Sequence, residues 1–298
     1  MLKSTIFFVL FAVCLARQVY FPSSGSSDLT PRPQLNGKGS GDFLPDRNVK
    51  HEVDIQYEGQ HLCTGIILGK YDVLTVANGL QELNPDEIRV IDSTGIVHRV
   101  VSIDIHPLFD VRTLEFDIAI LKVDPPFHMG RHFERVKLPL PGDELRPGEM
   151  AEVSGWVKAQ GSEDYSFKRA NTIVSLKYEC NRTYGNDYEG SDHMLCAAFR
   201  PSLRSGCIAD PGSPLIVDDK LYGLASWGDA CEPGTHNSVV YTDVSKLDYF
   251  LRRNTFIHEN ARSELCAALQ LVIALLPTIP VVPAWVVTAL NLLVQLFC

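Results

Sequence analysis

Cys207-Ile208-Ala209-Asp210-Pro211-Gly212-Ser213-Pro214-Leu215-Ile216-Val217 passes from a cysteine through an Asp-Pro-Gly turn into an apolar run. From Ser213 to Ser226, two apolar runs flank Asp218-Asp219, the pattern of a hairpin. Far upstream, His51 to Tyr57 alternates as a strand does, and Tyr71 to Ala77 reads as another strand that ends at Asn78. Ser245-Lys246-Leu247-Asp248 has capping-box spacing, so a helix is expected over Tyr249 to Arg253. Many short strands separated by Gly and Pro turns, with one terminal helix, make the chain all-β. The pattern by itself leaves a sandwich and a barrel both open.

The 298 residues suffice for one large domain with accessory segments, and 45% hydrophobic with 21% charged residues is ordinary for a globular protein. A net charge of −9 without any basic stripe removes the electrostatic case for nucleic acid. Residues 1–17 read as a secretory signal, with Lys3 as the positive start, Ile6 to Leu15 as the apolar run and Cys14-Leu15-Ala16 as the cleavage site. The run is short for a membrane span of roughly 20 residues. Secretion implies an oxidising compartment in which disulfides persist. Residues 18–46, rich in Ser, Gly and Pro, are expected to form a flexible leader. The main domain takes 47–257, a linker 258–264 and an uncharged tail 265–298. Pro277, Pro280 and Pro283 argue against a long buried helix in that tail. It suits a lipid-anchor signal preceded by Asn260, Ala261 and Ser263, a span over Val281 to Phe297, or neither.

Four separated motifs, in order, resemble the trypsin-like serine proteases. Gln60-His61-Leu62-Cys63-Thr64-Gly65 resembles the family's second strand, and Leu74-Thr75-Val76-Ala77-Asn78-Gly79 its Leu-Thr-Ala-Ala-His-Cys segment. Phe116-Asp117-Ile118-Ala119 resembles the aspartate strand. Cys207 to Leu215 resembles Cys-x-Gly-Asp-Ser-Gly-Gly-Pro-Leu. Ser154-Gly155-Trp156 and Ser226-Trp227-Gly228 agree as well. The resemblance covers roughly residues 50 to 257 and implies two antiparallel six-stranded β-barrels with a C-terminal helix. It implies disulfides Cys180–Cys196 and Cys207–Cys231, and it leaves Cys63 without the family's partner, because Gly79 stands there. A buried thiol or a bond to Cys266 are the options for Cys63.

The resemblance also supplies the chemistry to look for. Peptide hydrolysis on this scaffold uses a hydroxyl, an imidazole and a carboxylate. Asp117 stands at the carboxylate position, but Asn78 replaces the imidazole and Pro211 the hydroxyl. An amide is no base near neutral pH, though the Asn78 NH2 is expected to donate to Asp117. Pro211 also lacks the N–H that would serve an oxyanion hole together with that of Ala209. In the specificity pocket, Ser205 replaces an aspartate and Val239 a glycine, while Gly228 still permits a peptide strand along 226–228. No Ile-Val-Gly-Gly start occurs, so Asp210 is expected to pair with His61 as in family precursors. Ser213 is two positions past the nucleophile slot and is expected to point elsewhere. His51, His98, His106 and His128 have no motif around them, and His128 with His132 suits satisfied surface histidines better than a metal site. Asn181-Arg182-Thr183 is a glycan acceptor expected on an exposed loop.

These readings lead to a secreted or surface-tethered protease homologue that is not an enzyme. It is expected to have no catalytic residues, no metal and no cofactor, and to act on a protein partner such as a protease, inhibitor or receptor. The alternatives are a hydrolase using other residues, and a structural or adhesive surface glycoprotein.

Overall fold

The computed structural model describes residues 38–41, 50–130, 133–140, 142–158, 165–185, 191–199, 206–228, 231, 238–255, 270 and 273. The signal, most of the leader and nearly all of the tail lie outside these residues, as do Ser205 and His132. Among the described residues, no helix is long and apolar enough to cross a membrane.

Two closed antiparallel barrels of six strands each make up the fold. The first is built from β2 (Glu52–Tyr57), β3 (Gln60–Ile67), β4 (Asp72–Thr75), β5 (Ile88–Ile91), β6 (Val97–Ile105) and β7 (Ala119–Asp124). Its order is β2-β3-β4-β7-β6-β5, and β2 closes onto β5. Alternation sends Val53, Ile55, Ile67, Val73 and Leu121 inward to form its core. The second comprises β8 (Met150–Lys158), β9 (Tyr165–Ser175), β10 (Met194–Ala198), β12 (Pro214–Val217), β13 (Lys220–Gly228) and β14 (Ser238–Asp243), ordered β10-β14-β13-β12-β8-β9. Val153, Ala170, Leu215, Ala225 and Tyr241 fill it. The resemblance decided correctly between sandwich and barrel. Closing each sheet removes its edges, which is why twelve short strands need no covering layer.

The hairpin expected around Asp218-Asp219 joins β12 to β13, with both residues at positive φ, 48° and 60°. That is the backbone of a two-residue turn matching the strands' right-handed twist, and aspartate tolerates it better than most residues. The bridges Cys180–Cys196 and Cys207–Cys231 are formed, closing loops of 16 and 24 residues in sequence separation. Each contributes roughly 3 kcal/mol by restricting the unfolded chain. Cys63 is buried and outside any disulfide, its Sγ 3.6 Å from Thr75 Oγ1.

Three local expectations change. The leader is not structureless throughout: β1 (Lys38–Gly41) pairs antiparallel with β11 (Gly206–Ala209) in a two-stranded sheet outside both barrels. Composition alone hid this, because the partner strand, Gly206–Ala209, is far away along the chain. Ser245 does not cap the last helix, which runs over 248–255; its Oγ donates to Asp243 Oδ1 (2.6 Å) within a 3-10 turn, Val244–Lys246. The sequon Asn181-Arg182-Thr183 lies on helix α1 (Lys177–Tyr184) rather than a loop, and Asn181 is exposed there. Secreted material is expected to lose mass on glycosidase treatment, and Asn181→Gln should remove that shift on a denaturing gel.

Candidate active site

The turn after β11 is where the two barrels meet. Thr64 on β3 donates its backbone N–H to Pro211 O (2.8 Å) and its Oγ1 to Asp210 Oδ2 (2.6 Å). Gly212 N–H bonds Ala225 O (2.9 Å), and Ser213 N–H bonds Asp210 O (3.0 Å). Gly212 has φ +78°, and a Cβ there would lie 2.1 Å from Thr64 O. The turn therefore needs glycine twice over, for its dihedral and for its close approach. Gly212→Ala is expected to destabilise the protein by about 1–3 kcal/mol, measured by urea unfolding.

Asp210 is 0% exposed. Its Oδ1 is 3.0 Å from His61 Nε2, and its Oδ2 also accepts from Trp156 N–H (2.7 Å). The expected pairing of Asp210 with His61 is found. On the other side of the ring, His61 Nδ1 is 2.6 Å from Asp54 Oδ1, and Gln56 Nε2 donates to Asp54 Oδ2 (2.5 Å). One imidazole thus sits between two carboxylates, Asp54 on β2 of the first barrel and Asp210 in the turn after β11. Burial by itself would lower the His61 pKa, but the Asp210 charge and the hydrogen bonds to Asp210 and Asp54 push it up to about 10. His61 is cationic at neutral pH and compensates Asp210. Asp54 and Thr64 were missed in sequence. An aspartate between Val53 and Ile55 in an alternating strand was the signal that something charged faces it.

Asp117 is 0% exposed. Its Oδ1 accepts from Asn78 N–H (2.7 Å) and its Oδ2 from Ser226 Oγ (2.5 Å), and Ala77 N–H bonds it too. The backbone N–H of Asn78, not its side-chain amide, satisfies the carboxylate, which corrects the expectation. The backbone was already aimed at the carboxyl, and Ser226 took the other oxygen. Burial pushes the Asp117 carboxyl up to about 6 against the lowering effect of these hydrogen bonds.

The remaining positions follow. Ala209 ends β11, 0% exposed and paired with Lys38. Val239, opposite Gly228 in the β13–β14 ladder, is 3% exposed and packs with Cys207, Cys231 and Tyr241. Ser226 and Trp227 are also buried, and Trp227 packs on Tyr184 (5.0 Å between ring centroids) with Leu114 and Met194 nearby. A peptide therefore finds no exposed strand at 226–228, contrary to the accessibility inferred from Gly228. Ser213 is fully buried with its Oγ unpartnered, facing Gly155, so it reaches no substrate. His98 is buried, held by Pro125 O (2.5 Å) and Asp92 Oδ2 (3.2 Å). His51 Nδ1 bonds Glu134 O (2.8 Å). No group of three metal-ligating side chains occurs among the described residues.

The trypsin family profile matches residues 39–251. A trypsin from Simulium vittatum is 31% identical over 226 residues, 72% of this chain and 92% of its own length. A vitellin-degrading protease from Bombyx mori is 27% identical, covering 78% of this chain and 90% of its own. Trypsin 5G1 from Aedes aegypti is 28% identical over 82% and 96%. These relatives carry the names of proteases, and this overturns the expectation that the chain is not an enzyme. The resemblance places Asn78 and Pro211 at the family's imidazole and hydroxyl positions, and neither side chain carries such a group; this does not exclude catalysis.

Proposed function

Because the chain belongs to the trypsin family, we propose that it is a secreted or surface-tethered member that acts by binding a protein partner and regulating proteolysis. The observation that carries this is the turn at Asp210-Pro211-Gly212, bonded across to Thr64 and His61 and presenting no hydroxyl at the family's reacting position. The secretory reading of residues 1–17 and the two disulfides support an extracellular site of action. The apolar tail is the candidate tether. The protease names of the relatives favour a second reading, hydrolysis by residues other than the family's.

The test is to titrate the purified mature protein into an active trypsin held by a reversible protein inhibitor, beside turnover of a peptide library. A concentration-dependent shift of the inhibition curve supports partner binding. No shift, together with turnover that Asp117→Asn removes, overturns it in favour of the second reading. No shift and no turnover overturns both and leaves the structural or adhesive role.

A further inference from the structure

Helix α1 (Lys177–Tyr184) has 8 residues, too few to hold together alone in water. Leu176 at its start makes no side-chain cap bond, and its Tyr, Asn and Thr residues are weaker helix formers than alanine or leucine. Tertiary anchors hold it instead. Cys180 is joined to Cys196 of β10, and Tyr184, one turn later, packs on Trp227 and donates its Oη to Ser238 O. Until Cys180 and Cys196 are joined, nothing local keeps this segment helical.

The acceptor Asn181-Arg182-Thr183 lies inside α1, directly after Cys180. Thr183 Oγ1 donates to Glu179 O (2.9 Å), one turn back. Sugar is transferred to an extended, exposed backbone whose sequon hydroxyl is available to the transferase, which is why acceptors are read as loops. In the folded protein both conditions fail, because the backbone is helical and the hydroxyl is engaged. The product nevertheless fits. Asn181 and Arg182 are exposed, and helix side chains lean towards the N-terminus, here over Tyr178, which is 67% exposed. The site has room for a glycan but does not admit the reaction that attaches it.

We propose that Asn181 is glycosylated only before α1 forms, so that closure of Cys180–Cys196 ends the opportunity and sets how much of the protein carries sugar. This rests on the secretory reading of residues 1–17. In the transfer, Asn181 Nδ2 bonds to C1 of the first sugar of a lipid-linked oligosaccharide. The C1–O bond to the lipid pyrophosphate breaks, and the amide proton passes to the transferase. In the closure, the Cys180 and Cys196 thiols give two protons and two electrons to the disulfide of an oxidoreductase, which becomes a dithiol. Cys196 is synthesised 16 residues after Cys180. At about 5–20 residues per second that is a lag of about 1–3 s, and closure itself takes seconds or longer. Transfer and closure therefore run on one timescale, and both forms of the protein result. Closure can still follow transfer, since Cys180 faces the core and Asn181 the solvent.

The test is to pulse-label the full-length chain in secreting eukaryotic cells and run it on a denaturing gel before and after glycosidase treatment. No other Asn-x-Ser/Thr occurs in the sequence, so any shift reports Asn181. The natural protein is expected as two bands. The unmodified band should be lost in Cys196→Ser, and also when dithiothreitol is present during the pulse. Cys231→Ser removes the other bridge and leaves Cys180–Cys196 in place, so it should keep both bands. These readouts do not require a variant to reach its native fold. Loss of the unmodified band in both variants overturns the proposal, because slow folding alone would then account for it. A natural protein that is fully modified overturns it too, as does secretion of unmodified protein from every variant. Unmodified chain retained in the cytosol overturns the secretory reading along with the proposal.

Discussion

His61→Ala is expected to destabilise the protein by about 3–5 kcal/mol, the usual consequence of removing one partner from a buried ion pair. Asp210 would keep Thr64 Oγ1 and the Trp156 N–H, but these are dipoles and cannot replace a cation at 3.0 Å in a place with no solvent. Adding Asp210→Asn should restore a substantial part of the loss, because the orphaned charge goes with it. Non-additivity of the two changes in a urea double-mutant cycle is the measurement. Additive effects would mean that His61 stabilises the fold by packing against Trp156 and Tyr165 instead. The same pair sets a pH dependence. The folded-state pKa of His61 is raised from 6.5 to about 10, so the folded state holds that proton more tightly than the unfolded chain. Its contribution is complete below pH 6.5 and is lost as the pH climbs to about 10. Melting temperature should therefore fall across that window in the natural protein and stay flatter in His61→Ala.

Asp117→Asn should act in the opposite direction and stabilise the protein by up to about 3 kcal/mol above neutral pH, since one pKa unit is worth about 1.4 kcal/mol. The Asp117 carboxyl is raised from 3.8 to about 6, because it is buried among neutral donors without a cation. Its charged form is the costly one. That cost is absent below pH 3.8, grows between 3.8 and about 6, and is fully present above. An asparagine oxygen can still accept from the Asn78 and Ala77 N–H groups, while its NH2 turns to Ser226 Oγ. The pH dependence between about 4 and 6 should disappear with the substitution. Loss of stability instead would mean that a cation compensates the carboxylate in solution. Together the two groups place the stability optimum in mild acid. At lower pH the opposing groups are Asp92, Asp110, Glu134 and Asp143, whose pKa values are lowered; at Asp92 burial raises it, but hydrogen bonds from Thr94, Ile96 and His98 outweigh that.

Much of the site was legible because short motifs fix their own local geometry. Asn78 after Ala77, Asp117 before Ile118, and Pro211 between Asp210 and Gly212 all stand at the barrel junction. The pairing of Asp210 with His61 was implied by the resemblance to the family's precursors, together with the cost of leaving a buried carboxylate unpaired. Asp54 was harder to see, since only the β2–β3 register carries it to the imidazole. The Asn78 amide was assigned a bond that its own backbone makes, because residue type reveals a donor but not which donor is nearer.

By itself the sequence determined the all-β class and the hairpin at Asp218-Asp219. These depend on side-chain alternation, turn chemistry and residue identity, all of which act within a few residues. With the family resemblance it also gave the barrel architecture and the two disulfides. Only the tertiary structure decided that the leader supplies a strand to β11, that the 226–228 strand is covered, and that His61 bridges Asp54 on β2 and Asp210 in the turn after β11. Each of these joins segments far apart in the chain. Composition cannot locate such a contact, because its energy comes from burial and hydrogen-bond geometry that exist only once both barrels have closed.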